Sequence, residues 1–174
     1  MSKPLHFRHL GKTAGTSIMA WLETYALERL PWALQRRFFL GTHTPWDLRC
    51  PDRPSKLITF ASVRDPEPHV RSLYRQYHDR KLKPSLNEWI QSEFWTFATS
   101  EEMLKDCQHI LRFESIQEDW LKFCKEVKLP QISLPHHRNQ KHLPKPKDKL
   151  SEASKSILRQ HYEYTIKNFY PNAL

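Results

Sequence analysis

Short apolar runs and longer amphipathic stretches alternate along the chain, and this alternation predicts its secondary structure. Runs of mostly apolar, β-branched or aromatic residues predict buried strands, and they lie at residues 5–10, 38–40, 57–63 and 109–113. Apolar residues at helical spacing predict helices at residues 18–30, 67–81, 86–95, 101–105, 114–127 and 151–169, with a short helical turn at 32–36. Strands that alternate with helices favour a parallel sheet with right-handed crossovers. We therefore expect an α/β fold, a three-layer sandwich in which helices flank a central, mostly parallel sheet of four to five strands.

The composition indicates one folded domain with an anionic partner. The chain has 174 residues, of which 39% are hydrophobic and 12% are aromatic, so it is large enough for a core and unlike a disordered protein. We expect residues 1–174 to form a single domain. A net charge of +9 favours a partner such as nucleic acid, a phosphorylated cofactor or an acidic polysaccharide, and charge alone does not choose among them.

Cysteine usage and hydropathy bear on the compartment. Cys50, Cys107 and Cys124 are unclustered, so we expect free thiols in a reducing compartment rather than a zinc site or a disulfide framework. The N-terminus lacks the pattern of a signal peptide, and no apolar run approaches the roughly 20 residues of a membrane span. The expectation is a soluble, cytoplasmic chain.

The strongest candidate for a binding site is the turn after the first predicted strand, at residues 9–17. Its glycines let backbone N–H groups approach an anion, and it leads into a helix N-terminus, which attracts negative charge. Gly11-Lys12-Thr13 imitates the end of an NTPase P-loop, but that motif requires a glycine five residues before Gly11, where the chain has His6. The plainer alternative is an ordinary connection with Ser17 as the helix N-cap. It is weakened because two of the chain's three glycines lie in this turn.

Polar residues follow three of the predicted strands. Lys12 follows the first, His43 the second and Arg64 the third. Ligands of open parallel sheets bind beyond the carboxyl ends of the strands, so we expect these side chains at one site. Arg64 can bind a phosphate through two hydrogen bonds from its planar guanidinium. Ser72, on the helix that follows, can donate a hydrogen bond from its hydroxyl to the same anion. The alternative is that Arg64 pairs with Asp65 or another neighbour and that Ser72 is only a small helix residue.

Two motifs together resemble those of the sulfotransferases that use 3′-phosphoadenosine 5′-phosphosulfate (PAPS), above all the carbohydrate type with the heparan sulfate 2-O and 6-O enzymes and their bacterial relatives. The 5′-phosphosulfate loop of that family resembles Phe7-x-His9-Leu10-x-Lys12-Thr13-x-Gly15-Thr16-Ser17, and its 3′-phosphate motif resembles Arg64-Asp65-Pro66 followed by Ser72 and Tyr74. Weaker landmarks are Ile110-Leu111-x-Phe113-Glu114 and Leu134-Pro135-His136-x-Arg138-Asn139. The resemblance runs from residue 7 to about residue 169. The chain departs from it with Gly11 in place of the usual proline, Ala14 in place of the usual glycine and His69 in place of a frequent arginine.

The resemblance implies a P-loop-like fold, PAPS as the sulfuryl donor, and an acceptor hydroxyl on a carbohydrate, without a metal. It implies that Lys12 neutralises charge on the leaving phosphate, that Arg64 and Ser72 hold the 3′-phosphate, and that Arg138 closes over the nucleotide. By the same resemblance, the residues that bind the 5′-phosphate are Lys12, Thr13, Ala14, Gly15, Thr16 and Ser17. Sulfuryl transfer in line needs little covalent work from a protein, so positioning and charge stabilisation dominate the catalysis.

An acceptor hydroxyl needs a general base, and histidine is the common choice near neutral pH. Among the ten histidines, His43 follows a predicted strand and the only glycine outside residues 9–17. The resemblance implies that a histidine after the second strand is this base. The alternative is that His43 only hydrogen-bonds in a turn. His9, at the entrance of the turn, is expected to be structural.

Two other functions stay open at this point. The Pro-, Lys- and His-rich segment at residues 128–150 is compatible with a basic nucleic-acid-binding domain, but no recognition motif is present and the aromatic residues fall on apolar helix faces. The turn at residues 9–17, taken alone, is compatible with a nucleotide or small-molecule kinase of the P-loop class, against which the broken glycine pattern counts. Binding of the donor distinguishes these functions, and we expect no nucleic acid partner.

Overall fold

The computed structural model describes residues 5–29, 58–77, 84–92, 94, 101–135 and 147–174. Within these residues there are three strands: β1 (Leu5–Arg8), β2 (Ile58–Val63) and β3 (His109–Arg112). Six α-helices accompany them: α1 (Gly15–Arg29), α2 (Pro66–Tyr77), α3 (Leu86–Ser92), α4 (Ile116–Glu126), α5 (Glu152–His161) and α6 (Glu163–Phe169). Short 3₁₀ turns cover Glu101–Leu104 and Phe113–Ser115.

The three described strands form one parallel sheet in the order β1-β2-β3. Phe7 on β1 lies beside Phe60 on β2, and Phe60 lies beside His109 on β3. The mixed α/β class and the parallel pairing confirm the coarse prediction. The predicted strand at residues 38–40 and the helical turn at 32–36 lie outside the described residues, so a sheet of four to five strands stays a prediction.

The chain divides into two compact units. The first unit comprises Met1–Val63 and Glu102–His137, and it holds the sheet with α1 and α4. The second unit comprises Arg64–Glu101 and Arg138–Leu174, and it holds α2, α3, α5 and α6. The expectation of one domain over residues 1–174 stays a prediction.

The core of the first unit is aromatic and lies on one face of the sheet. Side chains alternate between the two faces of a strand, so Phe7 faces this core while Arg8 points to the opposite face. Phe60 stacks on Phe7, with 5.0 Å between ring centroids, and also contacts Phe123 of α4, at 4.5 Å. The core cluster consists of Leu5, Phe7, Ile18, Trp21, Leu22, Phe60, Leu111, Trp120, Phe123, Cys124, Leu129 and Leu134.

Arg8 is a buried cation on the other face of the sheet. Its side chain is only 3% exposed, and such a charge needs hydrogen-bond partners. The guanidinium donates to the carbonyl oxygen of Met103 at 2.6 Å and lies 3.7 Å from the carboxylate of Asp106. The segment around Met103 is thereby fastened to β1, directly before the turn at residues 9–17.

The second unit is a helical cluster tied together by the segment before α5. Its buried core consists of Val70, Leu73, Leu86, Trp89, Ile90, Phe94, Leu158 and Tyr162. Arg71 of α2 donates to the carbonyl of Asp148 at 2.9 Å, and the Asp148 carboxylate accepts from the backbone N–H of Leu86 at 3.3 Å. Ser151 is the N-cap of α5, because its hydroxyl accepts from the N–H of Ser154 at 3.2 Å.

The helix predicted over residues 151–169 is wrong in one respect, because the structure has two helices there. α5 ends at His161 and α6 begins at Glu163. The carboxylate of Glu101 accepts the backbone N–H groups of Tyr164 at 2.9 Å and Thr165 at 3.2 Å. A carboxylate at this position caps the first turn of a new helix. The cap comes from more than 60 residues away in sequence, so the local pattern did not reveal it.

The other predicted helices differ from the structure in their bounds or in the type of helical turn. The helix predicted from residue 18 begins at Gly15, and the helix predicted at residues 101–105 is a 3₁₀ turn. The helix predicted at 114–127 opens with the 3₁₀ turn Phe113–Ser115 before α4. None of the helices in the described ranges is both long and apolar enough to cross a membrane.

Candidate functional site

The connection between β1 and α1, residues 9–14 (the β1–α1 loop), has an unusual backbone. Lys12 and Ala14 adopt positive φ angles of 66° and 71°, whereas Thr13 between them does not. An L-residue in this left-handed region costs about 1–2 kcal/mol. Turns that combine left- and right-handed residues can direct neighbouring backbone N–H groups toward one concave anion site. The two positive φ angles make the loop a candidate for such a site.

Gly15, the first residue of α1, is closely approached by a side chain and does not need glycine for its backbone angle. Its φ is not positive, but a Cβ placed on it would lie 1.8 Å from Nε2 of His9 and 1.9 Å from Cδ2. The His9 ring stacks on Phe7, with 5.6 Å between ring centroids. His9 thus packs against the start of α1, in keeping with the structural role expected for it.

The Thr13 hydroxyl is used inside the protein. Thr13 is wholly buried, and its hydroxyl donates to the carbonyl of Leu10 at 2.7 Å. The same hydroxyl lies 2.9 Å from Oγ of Ser62 on β2. A hydroxyl has one proton to donate, so Ser62 must be the donor of the second bond. Thr13 can therefore contribute to an anion site with its backbone N–H but not with its hydroxyl.

The N-terminus of α1 has no acidic residue in its first turn, and its N-cap residue has no capping oxygen in its side chain. The carbonyl of Ala14 accepts from the N–H groups of Ser17 at 3.0 Å and Ile18 at 3.2 Å, which places Ala14 at the N-cap. The first turn contains no acidic residue, and the alanine methyl offers no capping oxygen, so negative charge from elsewhere is favoured there. Thr16 is exposed and Ser17 is half-buried in this turn. The alternative with Ser17 as the N-cap is wrong, because the helix starts two residues earlier.

Arg64 and Ser72 belong to the second unit. Arg64 is half-buried and stands between the end of β2 and the start of α2. The next residue, Asp65, caps α2, because its carboxylate accepts from the N–H of Glu67 at 3.1 Å. Pro66 is the first helical residue, which suits its fixed φ. Ser72 lies in the second turn of α2 and is also half-buried.

Hydrogen bonds fix α2 within the second unit. Arg71 contacts Glu67 one turn earlier at 2.7 Å. His69 is buried, and its Nδ1 lies 2.9 Å from the hydroxyl of Tyr162. Burial, together with the charge of Glu101, raises the pKa of Tyr162, so the phenol stays neutral and can donate to His69. His69, where the resembling sulfotransferase motif often has arginine, thus has a partner within the same unit.

The remaining predicted residues divide into two groups. Lys12 is half-buried in the β1–α1 loop of the first unit, whereas Arg64 and Ser72 belong to the second unit, and the binding of one ligand by all three residues stays a prediction. His43 and Arg138 lie outside the described residues, and their roles as base and nucleotide contact stay predictions as well. The residue that the sequence reasoning missed is Ser62; the available signal was a small polar side chain at the end of an apolar strand.

The two described cysteines do not have the properties of nucleophiles. Burial raises the pKa of Cys107 to about 11, although the nearby Arg8 lowers it, and burial raises the pKa of Cys124 to about 12. Both side chains are therefore thiols at neutral pH. Within the ranges that the structure covers, no three histidine, cysteine or acidic side chains are grouped as metal ligands.

Comparison with known proteins adds no family assignment: no family model matches the chain, and no curated protein matches it significantly. The resemblance to sulfotransferases therefore rests on the sequence motifs alone.

Proposed function

We propose that this protein is a PAPS-dependent sulfotransferase that transfers a sulfuryl group to an acceptor hydroxyl on a carbohydrate. The observation that carries the proposal is the backbone of the β1–α1 loop. Lys12 and Ala14 have positive φ, Gly15 is closely approached by His9, and α1 begins there without an acidic residue. Backbone N–H groups, a helix N-terminus and a lysine are the elements that hold a phosphate. The proposal includes a P-loop-like sandwich with one or two strands beyond the three described.

The residues at this loop suit the 5′ end of the donor. When bound, PAPS supplies the sulfuryl group and a phosphate leaving group. The Lys12 ammonium would neutralise the negative charge that develops on the leaving phosphate, since a point charge placed there stabilises the transition state. Thr16 and Ser17 would add hydroxyl donors from the first turn of α1 to the backbone N–H groups of the loop.

The second motif supplies the residues that we propose for the 3′-phosphate of the donor. Arg64, at the start of α2, offers a guanidinium that can bind the 3′-phosphate through two parallel hydrogen bonds. Ser72 would add a hydroxyl, and Arg138 would close over the nucleotide. His43 would accept the proton of the acceptor hydroxyl as a general base.

The state of the Thr13 hydroxyl favours this function over a magnesium-dependent kinase. In a P-loop the hydroxyl that follows the lysine coordinates Mg²⁺. Here that hydroxyl belongs to Thr13, which is wholly buried and already bonded to Leu10 and Ser62. A phosphate held by backbone N–H groups and Lys12 makes no demand on this hydroxyl.

The net charge of +9 suits an anionic donor and an anionic acceptor alike. Charge complementarity raises the rate at which anionic ligands are captured. We therefore propose a glycan that already carries carboxylates or sulfates as the acceptor. A lipid, a small metabolite and a peptide tyrosine are the competing acceptor classes.

Donor binding tests the proposal directly. We expect 3′-phosphoadenosine 5′-phosphate (PAP), at about 100 times its Kd, to stabilise the protein by about 2.7 kcal/mol, which raises the Tm by about 5–10 °C for a chain of this size. ATP with Mg²⁺ should raise it less. No shift with PAP, together with tight and salt-sensitive binding to DNA or RNA, would refute the proposal in favour of a nucleic-acid-binding domain.

Transfer is then measured with labelled PAPS and a panel of acceptors. The panel contains desulfated heparin-type glycans, neutral oligosaccharides, a glycolipid and a tyrosine peptide. Label on a glycan is the expected result. A parallel reaction with labelled ATP and Mg²⁺ tests the alternative: label transferred from ATP, with no transfer from PAPS, would favour a kinase instead.

A further inference from the structure

We propose that Ser62 is a positioning residue: its hydroxyl, acting through Thr13, holds the β1–α1 loop in its anion-binding conformation. That the loop binds an anion rests on the proposed function. The hydrogen bond between Ser62 and Thr13 is observed independently of it. Ser62 lies outside the two motifs that resemble those of the sulfotransferases. It lies on β2, 49 residues from Thr13 in sequence.

The geometry gives this hydrogen bond a direction. Both side chains are wholly buried, and their oxygens are 2.9 Å apart. The Thr13 proton goes to the carbonyl of Leu10 at 2.7 Å, so the Ser62 hydroxyl donates to Thr13. β2 is the middle strand of the three described, and the loop is thus anchored on an element paired on both sides.

The loop needs such an anchor because its backbone is strained. Thr13 stands between the two residues with positive φ, Lys12 and Ala14. Strained residues persist only where the surroundings over-determine them. Without the bond from Ser62, the segment can relax toward right-handed angles, and its N–H groups then turn away from a common anion. Anchoring before the ligand arrives removes an ordering cost from binding.

The test is Ser62→Ala, read by hydrogen exchange of the backbone amides and by titration with PAP. We expect the amides of residues 12–17 in the ligand-free protein to exchange about tenfold faster, as for the loss of one buried hydrogen bond. Amides of α4, in the same unit, should keep their exchange rates. The Kd for PAP should rise about tenfold.

Two further variants separate positioning from general loss of stability. Ala14→Gly added to Ser62→Ala should restore slow exchange and PAP affinity, because glycine adopts positive φ without the steric cost. Ser154→Ala is the matched control: it removes an equally buried and hydrogen-bonded serine hydroxyl from the second unit, and it should leave the amides of residues 12–17 unchanged.

If Ser62→Ala does not fold, Thr13→Val is compared with Thr13→Ser: the valine removes the bond to Ser62 together with the bond from Thr13 to the Leu10 carbonyl, and the serine keeps both. Thr13→Val should reproduce the faster exchange, whereas Thr13→Ser should not. Unchanged exchange at residues 12–17 in Ser62→Ala, or a failure of Ala14→Gly to rescue it, overturns the inference even if PAP binds. If the wild-type protein does not bind PAP, the proposed function fails, and the exchange rates still decide whether Ser62 holds the loop.

Discussion

Gly15→Ala places one methyl group where the ring of His9 lies. The new Cβ would be 1.8 Å from Nε2, 1.9 Å from Cδ2 and 2.7 Å from Cε1 of that ring. Contacts this short require a movement of the ring or of the helix start. The ring is not free to swing without loss, because it stacks on Phe7 at an interplanar angle of 23°. We therefore expect the substitution to be destabilising although it exchanges glycine for the best helix former.

Two effects of opposite sign determine how much Gly15→Ala changes the free energy of unfolding. Overpacking of this kind costs about 1–3 kcal/mol, whereas alanine in place of glycine gains up to about 1 kcal/mol in a helix interior and less at the first residue. The expected net loss is about 2 kcal/mol, which lowers the Tm by about 4–8 °C for a chain of this size. Because Gly15 does not have a positive φ, backbone strain adds nothing to this loss.

In the His9→Ala variant, we expect the loss of stability caused by Gly15→Ala to disappear. With the ring removed, the three atoms nearest to the added methyl are gone, so Gly15→Ala should be neutral or stabilising by a few tenths of a kcal/mol. Urea unfolding of the wild type, both single variants and the double variant gives the coupling free energy. We expect about 2 kcal/mol of coupling. An equal loss of stability in both backgrounds would refute the reasoning and assign the role of Gly15 to something other than His9.

Three further predictions concern the proposed chemistry and the second unit. Lys12→Ala should abolish sulfuryl transfer, by about 100-fold or more, while leaving the urea midpoint nearly unchanged; retained turnover would remove Lys12 from the mechanism. Arg64→Ala should chiefly weaken donor binding, raising the Kd for PAP about 10- to 100-fold because a charge-assisted phosphate contact is lost, and an unchanged Kd in calorimetry would contradict that role. Burial lowers the pKa of His161 to about 4 from 6.5, so this histidine is neutral in the folded protein and protonated in the unfolded chain between those values. Stability should therefore fall as the pH drops from 6.5 to about 4, by up to roughly 3 kcal/mol. His161→Phe keeps a ring beside Phe94 and should flatten that dependence in urea titrations; an unaltered pH profile would assign it to another group.

Sequence pattern predicted those elements whose cause is local. The strand at β2 is an unbroken run of β-rich residues, and such runs pair in parallel sheets. Ser151 was identifiable as a helix N-cap because a serine before an amphipathic stretch is a local signal. The split between α5 and α6 was not identifiable, because Glu101 supplies the cap from a distant part of the chain while the apolar periodicity continues through the break.

By itself, the sequence determined where an anion site is to be expected: two glycines and a lysine directly after a strand and before a helix. That information is local, since strand, turn and helix propensities act over a few residues. Only the tertiary structure decided how the loop is built. It gave Lys12 and Ala14 positive φ angles, although neither residue type favours them. It turned the Thr13 hydroxyl inward to Ser62 and placed the His9 ring where a Cβ of residue 15 would lie. These features depend on side chains brought together by folding, and no local pattern encodes them.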